Sequence, residues 1–168
     1  MARRAALAAV LVLLAAPGVV RAHDIPRDVT IQVLVRPEGR TLHLLLRAPL
    51  KGITDVEYPR RGRDMVDLAR VEPALRDAAR VYLADKITLL EETQRLPAPR
   101  ITAVRFSLES DRAFASYDEA VRHLAAPPLP ADTTIFWEQG MLDVALEYPI
   151  ASDASRFAID ARFERLGL

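Results

Sequence analysis

The sequence contains no cysteine. Disulfides, zinc ribbons, iron–sulfur clusters and cysteine nucleophiles are therefore all excluded. Glycine is also scarce, with six in 168 residues, and none of them forms a phosphate-binding loop. The motifs G-x-S-x-G and H-E-x-x-H, which mark serine hydrolases and zinc proteases, do not occur either. The sequence offers no enzyme template, and we expect a non-enzymatic protein.

An apolar leader opens the chain. Arg3 and Arg4 precede an uncharged stretch over residues 5–20, and Val20-Arg21-Ala22 places small side chains at the positions that signal peptidase requires. The pattern predicts a cleaved signal peptide over residues 1–22 and a single exported domain over residues 23–168. The alternative is an uncleaved anchor, but a spanning helix needs about 20 apolar residues, and proline and glycine interrupt this stretch.

The charge balance and the apolar runs of the exported part limit its partners and its location. Removing the leader removes three of the 23 basic residues and none of the 23 acidic residues, which leaves 20 basic against 23 acidic side chains. A slight acidic excess does not favour nucleic acid as a partner. No second apolar run of membrane length follows, so we expect no membrane span after signal cleavage. The expected location is the periplasm, at the outer face of the inner membrane.

A β-hairpin is the clearest structural signal in the sequence. Residues 29–36 and 40–48 alternate apolar and polar side chains, and Pro37-Glu38-Gly39 between them predicts a three-residue loop with glycine in the left-handed conformation. Further strands are predicted over 86–92, 100–108, 141–148 and 155–160, and around Ile135 and Trp137, with a turn at Gln139-Gly140.

Two short helices interrupt this series of strands. Glu72-Pro73 and the helical spacing that follows predict a helix over residues 73–84, and the capping-box pattern from Ser116 to Glu119 predicts another that ends near Leu124. The charged, proline-containing stretch over residues 55–67 is typical of a loop. The predicted fold class is mainly β (α+β), an antiparallel β-sandwich-like domain with two inserted helices.

The chain resembles a family of bacterial membrane proteins. The stretches that carry the resemblance are "AHDIPRDVTIQVLVRPEGRTLHLLLRAPL" (22–50), "DLARVEPALRDAARVYLADKITLLE" (67–91), "SYDEAVRHLAAPPLP" (116–130) and "MLDVALEYPI" (141–150). Together they resemble the extracytoplasmic N-terminal region of HupE/UreJ-like proteins. The resemblance implies an exported β-rich domain followed by transmembrane helices, with a role in nickel acquisition for hydrogenase or urease.

The same resemblance implies a partner and a truncation. The family's metal-passage motifs belong to its membrane part, so they map to no residue of this sequence. We expect the chain to be truncated at its C-terminal end, because apolar residues continue up to Leu168 and no polar tail follows the last predicted strand. Its expected partner is the missing transmembrane region or another membrane protein.

A metal site is predicted at the mature N-terminus. Cleavage after Ala22 would give His23 a free α-amine beside its imidazole, and this nitrogen pair favours a late divalent metal such as Ni²⁺ or Cu²⁺. Asp24 or Asp28 could add oxygen, and His43 is a candidate further ligand if the N-terminal segment folds back along the hairpin. The competing interpretation is that His23 is simply a polar residue following a processing site.

Other constellations have simpler structural explanations. The acidic residues Asp55, Glu57, Asp64 and Asp67 lack the spacing of a calcium loop and lie among arginines, which is typical of a solvated loop. The aromatic residues Phe136, Trp137 and Tyr148 could line a ligand cleft, but aromatic residues on strands more commonly pack in the core. Two alternative functions remain open beside metal acquisition: a periplasmic protein-interaction module, and a small copper-binding β-domain that uses His23.

Overall fold

The computed structural model describes residues 29–53, 55–163 and 166. Nine strands and two α-helices occur in this part of the chain. In chain order they are β1 (Gln32–Glu38), β2 (Thr41–Pro49), β3 (Arg60–Arg61), β4 (Met65–Val66), α1 (Glu72–Ala78), β5 (Ile87–Glu91), β6 (Gln94–Arg95), β7 (Arg100–Leu108), α2 (Tyr117–Ala125), β8 (Gly140–Pro149) and β9 (Phe157–Ala161). The domain is mostly β, with antiparallel pairing throughout the described strands.

A four-stranded sheet in the order β1-β2-β8-β7 forms the main framework. Alternation along the central strand β2 sends Leu42, Leu44 and Leu46 to one face, where all three are fully buried. Leu146 of β8 lies opposite Leu44 and is equally buried. This face carries the main hydrophobic core, which stabilises the sheet by removing its apolar surface from water.

A second sheet of three strands has the order β6-β5-β9, and β3 and β4 form a separate two-stranded hairpin. Leu89 of β5 and Val66 of β4 belong to the same buried cluster as the leucines of the main sheet. The predicted strands over 86–92, 100–108, 141–148 and 155–160 are confirmed. The loop predicted over residues 55–67 is largely irregular, but it includes the short β3–β4 hairpin.

The predicted helix over residues 73–84 is confirmed, although it is not α-helical throughout. Pro73 lies in its first turn, where a missing N–H costs no hydrogen bond. After Ala78 the chain continues through a π-helical turn over Ala79–Leu83 and a 3-10 turn over Ala84–Lys86. Leu75, Ala79 and Leu83 face the core.

The second predicted helix is confirmed together with its cap. Ser116 precedes α2, and its Oγ accepts a hydrogen bond from the Glu119 backbone N–H at 3.3 Å. The Ser116 hydroxyl also donates to the Glu119 carboxylate at 2.9 Å. The helix ends before Pro127-Pro128, as the sequence predicts.

The structure corrects the hairpin loop. The first hairpin exists as predicted, but Pro37 pairs with Leu42 and Glu38 with Thr41, so the loop is the two residues Gly39 and Arg40 rather than three. Gly39 does adopt the left-handed conformation, with φ at +59°.

The strand predicted around Ile135 and Trp137 is wrong. Residues 137–139 form a 3-10 turn, and the only sheet-like pairing there is an isolated bridge between Met65 and Phe136 within the described chain. Gly140 is not a turn residue but the first residue of β8. Ile135 is buried nonetheless, because apolar side chains fill the core from loops as well as from strands.

Among the described residues, no helix is long and apolar enough to cross a membrane. The predicted signal peptide over residues 1–22 lies outside the described residues, so its cleavage stays a prediction.

Candidate functional site

The second face of the main sheet carries an unexpected pair of charges. Alternation puts Arg47 of β2 and Asp143 of β8 on the face opposite the main core, and the antiparallel register places them directly across from each other. Helix α2 covers part of this face, where Leu45, Phe114 and Ala120 form a second small buried cluster. Arg47 and Asp143 are therefore only 2 % and 0 % exposed.

The two side chains form a bidentate pair. Nε of Arg47 donates to Oδ1 of Asp143 at 2.7 Å, and Nη2 donates to Oδ2 at 2.8 Å. Nη2 also donates to the Ser107 hydroxyl at 3.3 Å, and Nη1 donates to the Asp111 carbonyl. The guanidinium lies over the Phe114 ring, 4.4 Å from its centroid. Such parallel hydrogen bonds are strong and fix the orientation of both groups.

His123 of α2 joins this pair to the loop that follows β7. Its Nε2 lies 2.8 Å from Oδ2 of Asp143, and its Nδ1 lies 3.3 Å from Oδ2 of Asp111. The other oxygen of Asp111 accepts a hydrogen bond from the Ala113 backbone N–H at 2.8 Å. The imidazole therefore bridges two carboxylates and ties α2 to the sheet.

Asp143 is held in its ionised form despite full burial. Burial by itself raises the pKa of this carboxyl group, because a charged group loses its hydration. Hydrogen bonds to Arg47, His123 and Ser107 outweigh that effect, so the pKa of Asp143 lies below its ordinary value. We call Arg47, Ser107, Asp111, His123 and Asp143 the buried ion cluster.

Cavities flank the buried ion cluster on two sides. One, of about 350 Å³, is lined by Arg47 together with Lys51, Arg112, Phe114 and Met141. The other, of about 170 Å³, lies beside His123 and Ser107. The first cavity has the size at which pockets begin to hold small molecules.

The predicted metal ligands are not brought together in the described structure. His23 and Asp24 lie outside the described residues, so their part of the prediction stays open. His43 lies on β2 with its Nδ1 3.7 Å from Oε1 of Glu147, and its side chain is partly exposed. Across residues 29–53, 55–163 and 166, no group of three or more His, Asp or Glu side chains could hold a metal ion.

The sequence carried a signal for this cluster that the predictions did not use. Arg47 and Asp143 each interrupt an apolar strand, in "LLLRAP" and "MLDVAL", and the two charges are opposite. Central strands rarely hold a lone charge, because an unpaired buried ion is costly. His123 gives no such signal in the sequence, since its predicted position on a helix gives no hint of Asp143.

Comparisons with known proteins do not assign this chain to a family. No family model, no curated protein and no solved structure matches this chain. The resemblance to HupE/UreJ-like proteins therefore remains an expectation from the sequence.

The chemistry of the cluster follows from its geometry. Both Asp143 oxygens bind Arg47, one of them binds His123 as well, and both His123 nitrogens face carboxylates. These groups bind one another and connect β2, β7, β8 and α2. The arrangement fixes the structure around the larger cavity and orients Arg47, one of the three basic side chains that line it.

Proposed function

We propose that this chain is a non-enzymatic, extracytoplasmic domain that resembles the soluble part of HupE/UreJ-like membrane proteins and contributes to acquisition of a divalent metal such as nickel. Its two larger sheets would pack as a β-sandwich, which agrees with the core that they share. It would act in the periplasm, at the outer face of the inner membrane, by binding the metal or a partner protein.

One structural observation supports a binding function over a catalytic one. Arg47, Asp143 and His123 are the side chains of the buried ion cluster best suited to chemistry, and Asp143 binds both Arg47 and His123, at 2.7 and 2.8 Å respectively. A general base or acid needs a side chain that can reach a substrate proton. Here those atoms hold the sheet and α2 together instead. The metal-related part of the proposal rests on the resemblance and on the donor chemistry of His23.

The DNA beyond codon 168 tests the membrane-protein proposal. We expect it to encode several apolar helices, in frame or after one frameshift. Unrelated sequence at that position would contradict the proposal. Intact mass measurement of protein recovered from the periplasm tests export directly, because cleavage after Ala22 leaves His23 as the first residue.

Metal titration of the correctly processed protein tests the metal site. We expect Ni²⁺ or Cu²⁺ to bind with an affinity above that of nonspecific metal binding, which lies in the micromolar range. His23→Ala should abolish binding, because it removes the imidazole that pairs with the α-amine. His43→Ala shows whether that residue supplies a further ligand. A processed protein that binds neither ion would contradict metal binding by this chain.

A second candidate is a periplasmic protein-interaction module that binds no metal. A groove of about 680 Å³ favours it, since its lining is largely apolar and includes side chains from α1, β7 and the Pro127–Pro130 segment. This candidate differs from the first in its metal dependence: the protein should retain a membrane-protein partner equally well with and without added metal.

A further inference from the structure

The cavity beside the buried ion cluster is lined by three basic side chains, Arg47, Lys51 and Arg112. Two acidic residues also line it, but both have partners of their own. Glu109 lies 3.7 Å from the Lys51 ammonium, and Asp111 faces His123 and the Ala113 amide. Arg112 has no ion pair within the described part of the chain. The lining cations with a donor left for a ligand are therefore Arg112 and Arg47, although Arg47 is only 2 % exposed.

Arg47 lines this cavity and keeps one hydrogen-bond donor without a partner among the described residues. A guanidinium has five N–H groups. Nε and Nη2 supply three of them to Asp143 and Ser107, and Nη1 supplies a fourth to the Asp111 carbonyl. The fifth, on Nη1, has no partner among the described residues. Its direction is fixed, because the bidentate contact with Asp143 and the Phe114 ring hold the guanidinium plane.

The rest of the lining is a mixture of apolar and polar surface. Phe114 and Met141 are buried side chains that supply an apolar wall, and Gln32 of the edge strand β1 adds an amide. An oriented cationic donor, a second free arginine and an apolar wall together match a small molecule that has one anionic end and a short hydrocarbon body.

The charges behind Arg47 limit the ligand to a single negative charge. The Asp143 carboxylate binds the guanidinium directly, and Asp111, which also lines the cavity, binds it through its backbone carbonyl. A dianion such as phosphate would meet repulsion from both carboxylates with only Arg112 unpaired to offset it. A monocarboxylate needs only two donors, and an arginine N–H is well matched to a carboxylate oxygen.

We propose that this cavity binds a small organic monocarboxylate. One carboxylate oxygen accepts the free Nη1 hydrogen of Arg47, the other pairs with Arg112, and the hydrocarbon part lies against Phe114 and Met141. This binding site does not depend on the membrane-protein proposal, so the genomic test and the following test can fail separately.

Titration of the processed protein with sodium butyrate tests the site, with sodium chloride at equal ionic strength as the reference. We expect saturable binding at one site, with a dissociation constant on the order of 1 mM, as a small ligand with few atoms allows. Amide chemical shifts should change at Phe114 and Met141. Inorganic phosphate should bind more weakly than butyrate.

Two exposed arginines provide a matched pair of variants. Arg112→Gln removes the proposed ligand partner and should weaken butyrate binding about tenfold or more. Arg70→Gln removes an exposed arginine that lies outside the cavity and should leave the affinity unchanged. Neither position is buried, so both variants should fold.

Three results would overturn the proposal. The first is binding that does not saturate up to about 50 mM butyrate, because the affinity would then be far weaker than a specific site provides. The others are equal butyrate affinity in Arg112→Gln and the parent protein, and chemical-shift changes that lie away from the cavity. Arg47→Lys adds a second measurement, because it keeps the charge but loses the planar guanidinium. If circular dichroism shows that this variant is folded, butyrate affinity equal to that of the parent protein would also contradict the assigned donor.

Discussion

Arg47 and Asp143 lie directly opposite each other on β2 and β8, and two parallel hydrogen bonds of 2.7 and 2.8 Å join their side chains away from solvent. A pair at this depth differs from a surface salt bridge, because each ion has lost its hydration and depends on the other. The sheet therefore contains a site where losing one partner costs much more than losing both.

Asp143→Leu should lower the free energy of unfolding by about 3–5 kcal/mol, since Arg47 would remain buried without a counter-ion. The double variant Arg47→Leu with Asp143→Leu should lose clearly less than the sum of the two single variants, because it leaves no unpaired charge between these strands. Urea unfolding of the four proteins of this cycle measures the coupling.

Glu72→Gln is the control for this cycle. Glu72 pairs with Arg76 at 3.2 Å on the exposed face of α1, and its loss should change stability by no more than about 0.5 kcal/mol. Additive effects at Arg47 and Asp143 would show that the buried pair is not coupled.

Acid should destabilise the protein partly through Asp143. Its pKa is lowered in the folded state, so the unfolded chain takes up the proton more readily, and the stabilisation is present above the unfolded pKa of 3.8. It is lost as the pH falls through the lower, folded pKa. Between about pH 5 and pH 2.5 the parent protein should lose more stability than Asp143→Asn, which has no proton to bind.

Glu91 and Glu92 also have lowered pKa values, because each accepts backbone hydrogen bonds, from Ala151 and Arg156 respectively. Both titrate in the parent protein and in the variant, so the difference between the two curves isolates Asp143. Unfolding curves measured across the pH range would contradict the assignment if the two proteins lost stability in parallel.

His123→Ala should loosen α2 from the sheet. The variant removes the contact of 2.8 Å to Asp143 and the contact of 3.3 Å to Asp111, and we expect a loss of about 1–3 kcal/mol, as for hydrogen bonds to charged groups. Amide hydrogen exchange should accelerate most in Tyr117–Ala125. The matched control is His43→Ala, whose contact to Glu147 is 3.7 Å and partly exposed, and which should leave α2 protected.

The strands with regular alternation could be predicted from the sequence, because alternation reports directly which face is buried. The hairpin of β1 and β2 and the strand β8 follow this rule, although Val33 and Val35 on the edge strand β1 are both 42 % exposed. The helix α2 is predicted from its capping box instead. Ile135 and Trp137 show its limit. Two apolar residues at a spacing of two resemble a strand, but the pairing that would make one depends on residues far away in the chain.

The buried ion cluster could be predicted only in part. An arginine and an aspartate inside apolar strands indicate a buried pair, yet their register depends on how β2 and β8 align, which local sequence does not fix. His123 joins them because α2 packs across the second face of the sheet. That packing is a tertiary fact, and nothing in the spacing from Ser116 to Leu124 reveals it.

Gly140 was predicted to be a turn residue, but the structure gives a different reason for it. A Cβ at this position would lie 2.5 Å from Cε2 of Phe106 and 2.8 Å from Cδ1 of Leu50, both buried side chains. Gly140→Ala should therefore lower the unfolding free energy by about 1–3 kcal/mol through overpacking.

The control for this variant is Gly39→Ala. No atom lies within 4 Å of a Cβ built there, and only its φ of +59° opposes the change, so the cost should be about 1 kcal/mol. Thermal unfolding compares the two variants, and a cost at Gly140 below that at Gly39 would contradict the close approach. The double variant with Phe106→Leu should recover part of the loss at Gly140, because it removes the ring atoms that lie nearest.

Tyr148→Phe should raise the stability of the protein or leave it unchanged. Tyr148 is fully buried on β8, its hydroxyl has no hydrogen-bond partner within the described chain, and burial raises its pKa to about 12. A buried polar atom without a partner costs free energy, so its removal should contribute up to about 1 kcal/mol. Tyr58→Phe is the matched comparison, because that hydroxyl is also buried and unpaired in the described part. Urea unfolding decides the outcome: a loss above about 1 kcal/mol in either variant would mean that its hydroxyl binds an internal water molecule.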